Sequence, residues 1–177
     1  LMAAAGKTQF EKTVATAMRS PIGVGSAKFH TGGIAGEVDT VYLGVFEKRA
    51  IEKVGGYDEH YLRAQDWEMN YRLRQQGGKI WFNPELEVIY RPRPNLKKLA
   101  KQYFQYGVWR HVVIRSHKGT SNFRYLAPPT AISLILISIL LSTISQIFLL
   151  IPGIYLFVII VASVVIGKGF LQKLLLP

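Results

Sequence analysis

Apolar residues at the start of the chain recur at helical spacing and then give way to a stretch rich in glycine. Thr8 and Glu11 form a capping box, after which apolar positions repeat every three or four residues up to Ser20-Pro21. This pattern predicts a short amphipathic helix. The following stretch, 23–36, which includes Ser26, is rich in glycine and small polar residues and predicts a mobile loop of the kind that covers ligands.

The next segment alternates between strand and helix patterns. Runs rich in β-branched and aromatic residues indicate strands, and glycine pairs mark the ends of two helices. The predicted elements are a strand over Val38–Phe46, a helix over Lys48–Val54 that stops at Gly55-Gly56, a helix with Asp66 as its N-cap that buries Met69 and Leu73 and stops at Gly77-Gly78, and strands over Ile80–Asn83 and Leu86–Tyr90 on either side of Pro84. This part of the chain is therefore predicted to be a mixed α/β domain.

A long basic and aromatic helix is predicted from its N-cap, Asn95, towards Ile114. Its aromatic rings would suit the headgroup layer of a membrane, and its lysines would meet anionic lipid, at about 1 kcal/mol for each cation near the surface. The alternative is a solvated helix that packs on the α/β domain.

The end of the chain is strongly apolar. No charged residue occurs over Ile132–Ile166, a run longer than the single span of about 20 residues that crosses a bilayer. Because polar residues interrupt the run, we predict two helices, near Leu126–Thr143 and Ile147–Gly167, that form a membrane hairpin with basic flanks on the cytoplasmic side. A turn at Pro152-Gly153 is the competing placement, and a buried core helix is the soluble alternative.

Charge points to a local partner. The formal net charge is +11, every acidic residue lies between Glu11 and Glu87, and half of the Lys and Arg residues follow Glu87. Nucleic acid and an anionic membrane surface are the usual partners of such a basic segment. A nucleic-acid site over Lys97–Arg124 is a rival interpretation, but the neighbouring apolar run favours a membrane and no nucleic acid. The chain contains no cysteine, which excludes a disulfide framework and suits a reducing compartment such as the cytoplasm.

Two carboxylates flank an aromatic ring in the run Gln65-Asp66-Trp67-Glu68, at the start of a predicted helix. A carboxylate at that place accepts backbone N–H bonds and stays ionised, as a general base must before it takes a proton. The indole would stack on the apolar face of a sugar. The alternative is a plain helix cap beside an incidental tryptophan. The histidines are scattered rather than spaced as metal ligands, so no metal site is predicted.

Four segments carry a combined pattern that is more specific than any one of them. They are Val54-Gly55-Gly56-Tyr57-Asp58-Glu59, Gln65-Asp66-Trp67-Glu68-Met69-Asn70-Tyr71-Arg72-Leu73-Arg74, Ser20-Pro21-Ile22-Gly23-Val24-Gly25 and Gln102-Tyr103-Phe104-Gln105-Tyr106-Gly107-Val108-Trp109. The first two resemble the second half of family 2 glycosyltransferases that build bacterial surface polysaccharides. The last two are similar to segments of a membrane-bound subgroup that includes succinoglycan glycosyltransferases.

This resemblance implies a fold and a division of the chain. The fold would be the C-terminal half of a GT-A fold, the Rossmann-like α/β fold of nucleotide-diphospho-sugar transferases, followed by an amphipathic helix and a transmembrane helical hairpin. The implied parts are a partial catalytic domain over 1–94, an interface helix and linker over 95–125, and a hairpin with a short tail over 126–177. The nucleotide-binding half, whose Asp-x-Asp motif holds magnesium or manganese, is expected to precede this chain, and 1–177 alone is expected to be inactive.

The resemblance also implies roles for individual residues. Asp66 would be the catalytic base of an inverting transfer from a nucleotide sugar, with Trp67 and Glu68 binding the acceptor. The implied ligands of the donor diphosphate are Arg91, Arg93, Gln102, Trp109 and Arg110, although the arginines would equally suit lipid headgroups. The acceptor is expected to be lipid-linked or a free saccharide at the cytoplasmic face of the inner membrane. A non-catalytic membrane adaptor that binds anionic lipid or a partner protein is the rival interpretation.

Overall fold

The computed structural model describes residues 1–25, 27–121 and 125–176, so Ser26 of the predicted loop and Arg124 of the rival basic segment lie outside the described residues. The chain forms two compact units, 1–116 and 117–177. The elements of the first unit are β1 (Met2–Ala4), α1 (Gln9–Met18), α2 (Pro21–Val24), α3 (Lys28–Thr31), β2 (Gly36–Glu37), α4 (Lys48–Lys53), α5 (Gln65–Gln75), β3 (Trp81–Phe82), β4 (Val88–Tyr90) and α6 (Leu96–Ser116). Those of the second unit are α7 (Ala127–Leu141), a 3₁₀ helix (Gln146–Leu149), α8 (Leu150–Ile166) and α9 (Phe170–Leu175).

The capping box predicted at Thr8 is confirmed, and it begins α1. Thr8 Oγ1 accepts the backbone N–H of Glu11 at 3.2 Å, while Glu11 Oε2 accepts the N–H groups of Lys7 and Thr8 at 2.7 and 3.1 Å. These bonds satisfy amide groups that a helix N-terminus leaves without intrahelical partners. The apolar face of α1 is buried through Val14 and Met18, as its spacing predicts.

The first hydrophobic core joins the start of the chain to its middle. β1 and β4 pair as a parallel two-stranded sheet, with Met2 opposite Val88 and Ala4 opposite Tyr90. The buried cluster consists of Met2, Ala4, Val14, Ala15 and Met18, and the residues packed against it are Phe10, Val24, Phe29, Tyr42, Tyr90 and Leu99. Because Leu99 lies on α6, this core also holds the long basic helix on the first unit.

A second core surrounds α5. Met69 and Leu73 are buried, as predicted, together with Ile80, and the residues packed on them are Val38, Val41, Phe46, Ala50, Ile51 and Val54. The predicted helix over Lys48–Val54 is confirmed as α4, and Gly55 and Gly56 follow it with φ of 78° and 74°. Such left-handed backbone favours glycine, which explains why the helix stops there.

The strand predicted over Val38–Phe46 is wrong. Only Gly36 and Glu37 pair with β3, and the ladder extends by one bond, from the N–H of Val38 to the carbonyl of Ile80 at 2.9 Å. Leu43 then has φ 48°, which an extended strand does not allow. Val38, Val41 and Phe46 of this segment pack on the second core, so their apolar character reflects that packing and not alternation across a sheet.

The loop predicted over 23–36 is interrupted by local structure. α2 begins at Pro21, with Ser20 Oγ accepting the N–H of Ile22 at 3.2 Å, and α3 forms one turn over Lys28–Thr31. Proline suits the first helical position because its fixed φ matches a helix and its missing N–H would have no partner there.

The basic helix is confirmed as α6. Asn95 Oδ1 accepts the N–H of Lys98 at 3.0 Å and begins the helix, which continues to Ser116. Apolar side chains remain exposed on it, among them Leu96 at 70% and Phe104 at 74%. An exposed apolar surface beside lysines is typical of a binding face rather than of a purely solvated helix.

The second unit is a pair of apolar helices joined by the 3₁₀ helix. Among the described residues, Gln146–Ile166 is long and apolar enough to cross a membrane, with 21 residues and a mean hydropathy of 2.8, whereas Ala127–Leu141 is apolar but shorter. Ser138, buried in α7, donates to the carbonyl of Phe148 and so ties the helix to the connection that follows. The competing turn at Pro152-Gly153 is wrong, because both residues lie in the first turn of α8, where proline is tolerated.

Candidate active site

Asp66 is the second residue of α5 and not its N-cap, so that prediction is wrong. The N-cap is Ala64, whose left-handed backbone (φ 63°) turns the chain into the helix without a side-chain cap. Asp66 and Glu68 both lie in the first turn, where negative charge is favoured by the helix dipole. The carboxylate of Asp66 is half-buried and remains reachable from solvent.

A tyrosine hydroxyl contacts this carboxylate. The hydroxyl of Tyr57 donates a hydrogen bond to Asp66 Oδ1 at 3.3 Å. Burial raises the pKa of Tyr57, and the charge of Asp66 and the hydrogen bond to it raise that pKa further. Burial also raises the pKa of Tyr42; the negative charge of Asp66 adds to the rise and the positive charge of Arg93 opposes it. The ring of Tyr42 meets that of Tyr90 edge to face, with centroids 5.9 Å apart.

Glu68 lies inside the first unit and is bound on both carboxylate oxygens. It is 1% exposed, and it accepts from Arg72 Nε and Nη2, each at 2.7 Å. Arg72 also donates to the carbonyls of Val54 and of Gly56, the latter at 2.7 Å, and its bond to Glu68 raises the pKa of the guanidinium. The role of Glu68 in acceptor binding stays a prediction, and its geometry favours holding the turn after α4 against α5.

Trp67 is half-buried and packed by its neighbours. Its ring is parallel to that of Tyr71, with centroids 5.5 Å apart and an interplanar angle of 10°, and the guanidinium carbon of Arg110 lies 5.0 Å from its centroid. The stacked pair lies within α5, and the cation–π contact with Arg110 links α5 to α6. The structure thus brings Arg110 to Trp67, and the acceptor-binding role of Trp67 stays a prediction.

Arg91 is engaged by a buried carboxylate. Its Nε and Nη2 donate to Glu11 Oε1 at 3.0 and 2.8 Å, and Glu11 is fully buried. The hydrogen bond from Arg91, together with those from the backbone of Thr8 and Lys7, lowers the pKa of Glu11 to about 2. Arg91 therefore connects the start of α1 to the end of β4.

Gln102 is the centre of a polar network at the start of α6. Its Oε1 accepts from Arg93 Nε at 2.9 Å, and its Nε2 donates to the hydroxyls of Tyr90 (3.1 Å) and Tyr106. The amide is buried, so these partners satisfy groups that would otherwise be costly to remove from water. Trp109 lies further along the helix, its ring 6.4 Å from that of the buried Tyr61.

Several contacting residues were not predicted as site residues. Tyr57 and Arg72 belong to the first two of the four segments that carry the resemblance, so their positions there could have drawn attention to them. Tyr106 belongs to another of the quoted segments, whereas Tyr42 and Tyr90 have no local signal, because they come together with the other residues only through the fold. Among the described residues, no three His, Cys, Asp or Glu side chains come together to hold a metal ion.

A half-buried carboxylate that accepts a hydrogen bond from Tyr57 in an α/β unit fits the class of glycosyltransferases that the motifs resemble. The chain is 32% identical, over 127 residues, to the succinoglycan biosynthesis protein ExoA of Rhizobium meliloti (strain 1021), a match covering 72% of this chain and 38% of that protein. It is 33% identical, over 91 residues, to the dolichyl N-acetyl-alpha-D-glucosaminyl phosphate 3-beta-D-2,3-diacetamido-2,3-dideoxy-beta-D-glucuronosyltransferase of Methanococcus voltae, covering 51% of this chain and 28% of that enzyme.

These relatives confirm the resemblance to exopolysaccharide and glycan transferases, and they imply a GT-A-like fold, with which the α/β architecture agrees. The chain spans well under half the length of either relative. No family model matches the chain. No solved structure matches it either.

Proposed function

We propose that this chain is the acceptor side of an inverting family 2 glycosyltransferase that moves a sugar from a nucleotide-sugar donor to a lipid-linked acceptor. The observation that carries the proposal is the Asp66 carboxylate, which is reachable from solvent and bonded to Tyr57 in the first turn of α5. By their names, one relative acts in succinoglycan biosynthesis and the other transfers a sugar to a dolichyl phosphate-linked sugar. Both names support a polysaccharide or glycolipid product for this protein.

In the proposed reaction Asp66 accepts the proton of an acceptor hydroxyl. The hydroxyl oxygen forms a bond to the anomeric carbon from the face opposite the nucleotide, and the bond from that carbon to the diphosphate oxygen breaks. The nucleoside diphosphate leaves with the electron pair of the broken bond, so the anomeric configuration inverts. The base needs to lie within about 2.6–3.2 Å of the proton donor when the substrate is bound, which a carboxylate with one accessible oxygen allows.

Arg93 is the predicted diphosphate ligand that the geometry supports best. Gln102 holds it through Nε, which leaves the two terminal NH₂ groups as the pair that would form a bidentate contact with a diphosphate. Arg91 uses Nε and Nη2 for Glu11, and Arg110 lies over the ring of Trp67.

The described residues do not form a site for the magnesium or manganese ion that the family resemblance implies. The part of the chain that the structure describes holds no cluster of three metal-binding side chains. If the enzyme uses such an ion to offset the charge of the leaving diphosphate, its ligands belong to another part of the enzyme. The steps proposed for Asp66 and Arg93 do not depend on it.

We also propose that the enzyme works at the cytoplasmic face of the inner membrane. The exposed apolar residues and lysines of α6 support a position at the lipid surface, and the apolar helices of the second unit support a membrane hairpin. Lys168 and Lys173 follow the hairpin, and lysines also precede it, as expected for two cytoplasmic flanks.

The decisive experiment measures sugar transfer from a panel of radiolabelled nucleotide sugars to membrane lipid extract. The full-length protein is compared with its Asp66→Asn variant and with Asp39→Asn, a matched control at an exposed surface ion pair with Arg74. Loss of transfer only in the folded, membrane-bound Asp66→Asn variant would support the base. Equal transfer by all three would exclude Asp66 as the base, and no transfer from any donor would favour a membrane adaptor.

A further inference from the structure

The turn that follows α4 carries Tyr57, whose hydroxyl donates a hydrogen bond to Asp66. Gly55 and Gly56 both have left-handed backbone, and this reverses the chain so that Tyr57 points back towards the first turn of α5. The Tyr57 hydroxyl contacts Oδ1, which leaves Oδ2 as the oxygen to receive a proton. A hydrogen bond to one oxygen restricts rotation of the carboxylate. The other oxygen then spends more time in the orientation from which it can accept the acceptor's proton.

A buried ion pair holds that turn in place. The Arg72 guanidinium binds Glu68 on one side and the carbonyls of Val54 and Gly56 on the other, at 2.7 Å for Gly56. The backbone on both sides of Gly55 is therefore tied to the helix that carries Asp66. Because a planar guanidinium binds in a fixed fork, it sets direction as well as distance.

From this geometry we infer that Tyr57 is a positioning residue for Asp66, and that Glu68 and Arg72 act through Tyr57 by holding its turn against α5. The inference rests on the proposed function, since it assigns Asp66 an orientation suited to taking a proton. It gives Glu68 a place in the site different from direct acceptor binding. The connected series runs from Glu68 to Arg72, from Arg72 to the carbonyls of the turn, and from Tyr57 to Asp66.

The first test compares steady-state kinetics of the full-length enzyme and its Tyr57→Phe variant. Phenylalanine keeps the ring and removes only the hydroxyl. We expect kcat to fall about tenfold, which corresponds to the loss of one ordinary hydrogen bond. The KM values for donor and acceptor should stay within about twofold. Tyr155→Phe, which removes a hydroxyl from α8, is the matched control and should leave kcat unchanged. An unchanged kcat in Tyr57→Phe would overturn the inference.

The second test detects the contact between Tyr57 and Asp66 by a measurement that does not depend on enzyme activity. The enzyme is labelled with tyrosine carrying ¹³C at Cζ, the Tyr57 signal is assigned by its loss in Tyr57→Phe, and its titration is followed by NMR. Since the Asp66 charge raises the pKa of Tyr57, Asp66→Asn should shift that titration to lower pH. If the pKa of Tyr57 does not change in Asp66→Asn, the two side chains are not in contact.

The third test asks whether the ion pair acts through Tyr57. Arg72→Lys keeps the positive charge but removes the planar guanidinium that binds Glu68 and the turn at once. It should therefore lower kcat when Tyr57 is present and lower kcat little further when it is combined with Tyr57→Phe. If Arg72 and Tyr57 act independently, the two losses of kcat will be additive, and the role assigned to the ion pair is overturned.

Failure of the proposed function and failure of this inference give different results. If the proposed function is wrong, transfer survives Asp66→Asn. If only the inference is wrong, Asp66→Asn is inactive and Tyr57→Phe is fully active.

Discussion

Glu11 and Arg91 lie 80 positions apart in the chain and meet at 2.8 Å beside the parallel pair of β1 and β4. Glu11 is fully buried and takes part in the capping box of α1 as well as in the ion pair. One carboxylate therefore begins a helix and fixes the end of a strand. Breaking such a pair by removing one partner costs more than losing a surface ion pair, because the other charge stays buried.

Acid should weaken the first unit through Glu11. Its pKa is lowered to about 2 in the folded protein from an ordinary value of 4.5, so its ionised form stabilises the fold above the ordinary value. This contribution is lost progressively as the pH falls from 4.5 towards 2. The unfolding midpoint of the full-length protein, measured by circular dichroism at pH values from about 2 to 6, should therefore fall as the pH is lowered through about 4.5 towards 2.

The matched variant for this prediction is Glu11→Gln, which keeps the shape and removes the charge. We expect a lower midpoint at pH 6 and a flatter dependence on pH than in the unchanged protein. Glu37→Gln, at an exposed ion pair with Lys79 (3.5 Å), should retain the full pH dependence. An equally steep dependence in Glu11→Gln would show that other carboxylates carry it.

The two neighbouring arginines should differ in their effects. Arg93→Ala should raise the donor KM about tenfold or more, because Arg93 is exposed and proposed to bind diphosphate. It should lower the melting temperature less than Arg91→Ala does, because it removes one partner of the Gln102 amide and leaves the bonds to Tyr90 and Tyr106. Arg91→Ala should mainly lower the melting temperature, because it leaves Glu11 buried without its partner. Isothermal titration with the nucleoside diphosphate and thermal unfolding separate the two effects, and the reverse pattern would exchange their assigned roles.

Truncating the centre of the second core should destabilise the fold strongly. Met69 is 0% exposed, so Met69→Ala should cost about 2–5 kcal/mol of unfolding free energy through lost burial and the cavity left behind. Leu96→Ala, on a residue that is 70% exposed, should cost no more than about 0.5 kcal/mol. Chemical denaturation of the full-length protein measures both, and equal costs would contradict the placement of Met69.

The basic helix should bind anionic lipid by itself. A peptide of residues 95–118 should partition onto vesicles containing phosphatidylserine, and replacing Lys97, Lys98 and Lys101 by glutamine should weaken this on the order of a hundredfold, at about 1 kcal/mol for each cation. Phe104→Ala should weaken binding through lost apolar contact, since that ring is 74% exposed. Equal binding of the triply substituted peptide, or no effect of salt, would argue against a membrane face.

Local chemistry explains where the sequence-based predictions succeed. The capping box at Thr8, the glycines after α4 and the Asn95 cap act over a few residues, so their consequences can be predicted without knowledge of the rest of the fold. The strand over Val38–Phe46 fails because strand formation needs a partner at the right distance, and the apolar pattern of that segment reflects packing on α5. Leu43 in the same segment has φ 48°, a left-handed backbone conformation that residue propensities for strands do not predict.

The sequence by itself determined the family resemblance, the mixed α/β character, the basic helix and the apolar end, because all of these depend on composition and short-range spacing. It also singled out Asp66. Only the tertiary structure decided that Tyr57 contacts Asp66, that Glu68 is bound by Arg72 and that Arg91 is bound by Glu11. Partners of a buried charge are chosen by where the folded chain brings them, and residues 80 positions apart carry no local sign that they will meet.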